Sequence, residues 1–119
     1  MRFGEYLKTL RTEQRIGLRQ FCLQNGFDPG NYSRLERGHF PPPRDEKIAE
    51  YARALDLKEG STEWLQLFDL AAAEQGQLPR DLMEDAELVE KLPVVFRTMR
   101  AKHVSPELLD ELAEKIRRG

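Results

Sequence analysis

A chain of 119 residues has room for one domain, or for one small domain with an appendage. A hydrophobic share of 39% supports a modest core, 34% charged residues mark a soluble chain, and no apolar run approaches the roughly 18 residues of a membrane span. The single Cys22 excludes an intrachain disulfide and fits a reducing, cytoplasmic setting.

The opening MRFGEYLKTL carries charge inside its apolar pattern and lacks a small-residue cleavage site, which speaks against a signal peptide. Every later element reads as helix, since β-branched residues are few and nothing alternates with period two. Residues 3–14 place Phe3, Tyr6, Leu7 and Leu10 on one face, with Ile16 following. Residues 17–25 form a second helix with Leu18, Phe21 and Cys22 inward, and Gly26 stops it because glycine takes positive φ at little cost. Asp28 is a good N-cap and Pro29 suits the first position of a third helix over residues 29–37, anchored by Tyr32 and Leu35. Two short helices joined through a glycine turn are the helix-turn-helix, whose second helix lies in the major groove of DNA.

Pro41, Pro42 and Pro43 form a stiff connector to a fourth helix, residues 44–55, with Ile48, Tyr51, Ala52 and Leu55 on one stripe. Ser61 or Thr62 caps a fifth, residues 62–75, whose Trp64, Leu65, Leu67, Phe68 and Leu70 occupy more than one stripe. Gly76 ends it. Pro79 is expected to start a short acidic helix, Pro93 another that holds Val94, Val95, Phe96 and Met99, and Ser105-Pro106 to cap a last one with Leu108, Leu109, Leu112 and Ile116 on one side.

The net charge of −2 hides an asymmetry. Residues 1–44 carry eight Lys/Arg against four Asp/Glu, and residues 45–119 carry eleven against seventeen. Residues 59–90 hold nine acids and one base, Arg80. The basic end attracts phosphate, and the acidic stretch must face elsewhere.

Residues 3–57 resemble the phage-repressor type of helix-turn-helix domain (lambda-repressor-like, often called XRE). The resemblance is carried by Phe21, Cys22, Gly26, Ser33, Leu35, Glu36, Arg37 and Gly38, and by the run SRLERG ahead of the proline cluster. It implies an all-α fold: a five-helix lambda-repressor-like bundle with a C-terminal helical extension. The DNA-binding domain is expected over residues 1–60 and the extension, for dimerisation or partner binding, over residues 61–119. LPRDL and LPVVFRTMR look like extensions found on such domains in bacterial and prophage-like regulators, some of them antitoxins.

The resemblance also implies a structural ion pair between Arg11 and Glu36, supporting the recognition helix from behind; two separate solvated charges are the alternative. The family places long polar side chains at the first two positions of that helix, where this chain has Pro29 and Gly30. Base contacts therefore shift to Asn31, Ser33 and Arg34. Arg34 suits a guanine, or else a phosphate or solvent, and Asn31 suits an adenine, or else a contact within the helix end. Arg19, at the start of the second helix, substitutes as a phosphate contact for the glutamine that the family often carries at position 18, and Arg37, His39 and Arg44 are further phosphate candidates. Tyr32 matches the family's apolar anchor and Cys22 a small buried position.

Enzyme readings fail on the residues themselves. His39 and His103 are far apart and one cysteine cannot complete a zinc set, so no metal and no cofactor are expected. Of the three serines, Ser33, Ser61 and Ser105, the last two read as helix caps, and the acids of residues 59–90 need not converge, so no catalytic residue is assigned. The expected partners are double-stranded DNA and a second copy of the chain in a homodimer, with no membrane. Three readings of the acidic half remain: a solvated structural extension, a dimerisation element, or a surface for a basic protein such as a toxin. A helix-turn-helix fold used only for protein interaction is the reading of a different class.

Overall fold

The structure, a computed structural model, describes residues 1–118. Among them are eight α-helices and no strand: α1 Phe3–Glu13, α2 Leu18–Asn25, α3 Pro29–Glu36, α4 Asp45–Ala54, α5 Thr62–Glu74, α6 Arg80–Met83, α7 Ala86–Lys102 and α8 Pro106–Arg118. They fall into two compact units, Met1–Pro79 and the residues from Arg80 onward. No helix of the described residues is long and apolar enough to cross a membrane.

The first unit owns the core. Phe3, Leu7 and Leu10 of α1 meet Phe21 and Cys22 of α2, Tyr32 and Leu35 of α3, and Ile48, Tyr51 and Ala52 of α4. α5 closes the cluster with Trp64, Leu67 and Ala71, and Leu65 on its other side is exposed. Two polar contacts tie α5 in further. Glu74 accepts from Arg2 Nε at 2.7 Å and from the Phe3 backbone N–H at 3.4 Å, so a carboxylate from α5 caps the positive end of α1. Gln75 Nε2 donates to the Pro42 carbonyl at 2.8 Å and holds the proline connector to the end of α5. The first compact unit therefore runs on through α5 to Pro79, because one side of α5 packs on α1 and α4.

Local signals explain the helix ends. Gly26 sits at φ 71°, and the Phe27 N–H returns to the Cys22 carbonyl at 2.9 Å, which terminates α2. Asp28 Oδ2 accepts from the Asn31 N–H at 2.8 Å and Pro29 opens α3. Phe27, just before that cap, stacks on Tyr32 with ring centroids 6.2 Å apart, the hydrophobic staple that sets a helix's entry angle. Ser61, not Thr62, caps α5.

The second unit is built differently. Pro93 does not start a helix. It lies inside α7, which begins at Ala86 behind the Asp85 cap, where Oδ1 accepts from the Leu88 N–H at 3.1 Å. An interior proline costs a helix about 3 kcal/mol, and the Asp85 cap offsets about 1 kcal/mol of it. None of α6, α7 and α8 contains a buried residue.

Candidate nucleic-acid interface

The two faces of α3 have opposite characters. Tyr32, Leu35 and Glu36 are buried, while Gly30, Asn31, Arg34 and Arg37 are exposed and Ser33 is intermediate. That split follows from the helical period, because residues 31, 34 and 37–38 share a side that 32, 35 and 36 do not. The buried side is held by an aromatic cluster. Tyr32 packs on Phe21 at 5.2 Å and Tyr51 at 5.4 Å, and Phe27 meets Tyr51 edge-on at 4.8 Å. Lys47 Nζ lies 5.1 Å from the Phe27 ring centroid and 5.4 Å from that of Tyr51, closing the cluster's rim with a charge.

Behind α3, Arg11 and Glu36 form a buried bidentate pair, and Arg11 Nη1 also donates to the Ile16 carbonyl at 2.8 Å. The hydrogen bond to Glu36 raises the guanidinium's already high pKa. The Tyr32 hydroxyl is buried without a hydrogen-bond partner among the described residues. Burial, and then the charge of nearby Glu36, hold its proton on far above the usual tyrosine range. Burial likewise pushes the Cys22 thiol up, which makes it an inert core residue.

On the exposed face, Arg34 Nη1 donates to Asn31 Oδ1 at 3.2 Å, so the two long polar side chains of α3 stand together. The Arg34 guanidinium also lies 6.0 Å from the Phe40 ring, which is itself exposed. Phe40 escaped the sequence reading, and its place two residues beyond the ERG run, ahead of three prolines, was the available signal. Arg37 Nε donates to the Ser33 carbonyl at 3.4 Å, which lays that side chain along the helix.

The other phosphate candidates lie on α2 and on the connector that follows α3. Arg19 is exposed in the first turn of α2, whose Gly17 N-cap supplies no side-chain acceptor for the first N–H groups. His39 and Arg44 are exposed at the two ends of the connector, and Arg44 is the N-cap of α4 without a capping hydrogen bond. His39 belongs to the first unit and His103 to the second.

One close approach fixes α1 against α3. A Cβ on Gly4 would stand 2.7 Å from the Glu36 carbonyl oxygen and closer still to that of Leu35, so only glycine lets the helices touch here. Sequence reasoning passed over this glycine because it sits inside a helix rather than at its end.

No family model, curated protein or solved structure matches this chain.

Proposed function

We propose that the protein is a sequence-specific DNA-binding transcriptional regulator, an autoregulating repressor that binds a two-fold operator as a dimer. In this reading α1–α5 are a lambda-repressor-like bundle, the protein is a cytoplasmic non-enzyme, and α3 enters the major groove. The observation that carries it is the paired Asn31 and Arg34 on the exposed face of a helix whose other face is locked into the core. A guanidinium suits the O6 and N7 of guanine, and the amide of Asn31 suits an acceptor on a neighbouring base. Ser33, intermediate in exposure, is the third base-contacting candidate. Arg19, Arg37, His39 and Arg44 would grip phosphates on either side. Gly30 adds no side chain, so the α3 backbone can come close to the groove.

The test is fluorescence-anisotropy binding to the DNA upstream of the protein's own gene, with scrambled competitor, across a salt series. Saturable binding that resists competitor and weakens steeply with salt supports the reading. Binding no stronger than that of the competitor overturns sequence specificity, and no binding overturns the reading altogether.

A second reading, an antitoxin that grips a basic toxin through its acidic half, draws on the nine acids and one base of residues 59–90. It predicts a stable complex with a small basic protein encoded beside the gene.

A further inference from the structure

Twelve of the sixteen exposed large apolar side chains among the described residues belong to the second unit, where nothing is buried. They are not scattered. Leu88, Leu92, Val95 and Met99 of α7 recur at spacings of four, three and four, and Leu109, Leu112 and Ile116 of α8 at three and four. That is the seam spacing of helices that pack on other helices. Helices of this length are marginal alone in water, and a unit that buries nothing cannot hold them by its own packing. The stripes therefore require a cover.

Charge order says what the cover is. α8 runs from Glu107, Asp110, Glu111 and Glu114 to Lys115, Arg117 and Arg118. α7 follows the order less strictly, from Glu87 and Glu90, with Lys91 beside them, to Arg97, Arg100 and Lys102. The helix dipole favours such an order within any one helix. Its consequence between helices is selective. Two copies laid parallel set acids against acids and bases against bases along both helices. Laid antiparallel, each acidic half meets a basic half, and a two-fold axis generates that arrangement from a single chain. The apolar side chains of α8 alone, only partly exposed, fall short of the roughly 1,200–2,000 Å² that stable interfaces bury. Leu88, Val95 and Met99 of the α7 stripe, exposed like those of α8, add apolar area to it.

We infer that a second copy of this chain covers the apolar stripes of α7 and α8, with the two copies antiparallel. The inference deepens the dimer element of the repressor reading by naming its interface. Its test uses no DNA, so a failure here and a failure of DNA binding are separate results.

The experiment is sedimentation velocity on the full chain at several concentrations, beside Leu112→Glu. The native chain should sediment at twice the chain mass, and Leu112→Glu, with a charge at the centre of the α8 stripe, should be a monomer. Trp64, the one tryptophan, lies in the first unit, so its fluorescence shows whether that unit stays folded in the variant. Orientation is read from disulfide trapping. In the antiparallel arrangement whose two-fold axis passes midway between residues 112 and 113, Leu109→Cys faces Ile116→Cys, and the mixture should cross-link at least tenfold more than either variant alone. A native monomer, which leaves the stripes to a different partner, overturns the inference. So does a dimer that Leu112→Glu leaves intact. Leu109→Cys chains that trap each other as readily as they trap Ile116→Cys overturn the orientation.

Discussion

Arg11 and Glu36 meet fork to fork, Nε on Oε2 at 2.8 Å and Nη2 on Oε1 at 2.9 Å, with both side chains more than nine-tenths buried between α1 and the end of α3. Removing one member of such a pair strands the other charge in the core, which typically costs about 3–5 kcal/mol. Arg11→Ala should therefore unfold the first unit at far lower denaturant, with a melting temperature roughly 12 °C or more below the parent's. Arg11→Lys should recover little, since an ammonium cannot span both carboxylate oxygens and the Ile16 carbonyl. A melting curve unchanged in Arg11→Ala would show that the pair contributes nothing to stability.

Gly4→Ala opposes two effects. Alanine is favoured over glycine in a helix by about 1 kcal/mol. Here, however, the added methyl meets the backbone carbonyls of Leu35 and Glu36, which cannot rotate away. Overpacking of this kind costs about 1–3 kcal/mol, so the net expectation is loss of stability. Urea unfolding of Gly4→Ala against the parent decides the sign.

Tyrosine burial sets an alkaline limit. Tyr32 keeps its proton in the folded chain well above the ordinary tyrosine pKa, mainly through burial and then through Glu36, and burial raises Tyr51 as well. In the unfolded chain both ionise near pH 10. Below about pH 10 the folded state keeps its full stability. Above it the unfolded state sheds protons that the folded state retains, so stability falls by about 1.4 kcal/mol per pH unit through Tyr32, and Tyr51 acts in the same direction. Tyr32→Phe keeps the ring in the Phe21–Phe27–Tyr51 cluster and should flatten that decline. Urea midpoints at pH 9, 10 and 11 give the two slopes.

The proposed DNA contacts divide by type. Arg34→Ala should cost about 1–3 kcal/mol on the preferred operator and little on scrambled DNA. Arg37→Ala or Arg44→Ala should weaken both alike and lower the salt slope by about one unit. Phe40→Ala, which frees the Arg34 guanidinium from its ring, should weaken operator binding by less than Arg34→Ala does. Anisotropy titrations on both DNAs at three salt concentrations separate these outcomes.

Pro93 lies within α7 and withholds the N–H that the Val89 carbonyl would otherwise accept. Pro93→Ala should raise the far-ultraviolet helical signal and the thermal stability of α7, by up to about 3 kcal/mol. An unchanged or lower helical signal would mean that the helix does not run through residue 93.

The sequence by itself determined the helices and most of their ends. Asp28 and Gly26 act within a few residues of themselves, so their capping roles are legible without any tertiary contact, whereas the choice between Ser61 and Thr62 at the start of α5 was left to the structure. The same holds for the stripe of Ile48, Tyr51, Ala52 and Leu55, because a helical period is a local property. Phe27 was legible in principle as the residue ahead of an N-cap, but its partner at the fourth helical position had to be sought. The sequence reading took Pro93 for a helix start, and the Asp85 cap eight residues earlier shows that the helix begins well before it. What only the tertiary structure decided lies between elements distant in the chain. The bar to any Cβ at Gly4, the hold of Gln75 on Pro42, and the assignment of α5 to the first unit are examples. So is the aromatic ring beside Arg34. These depend on how whole helices pack, and packing responds to the summed shape of many side chains rather than to any short run of residues.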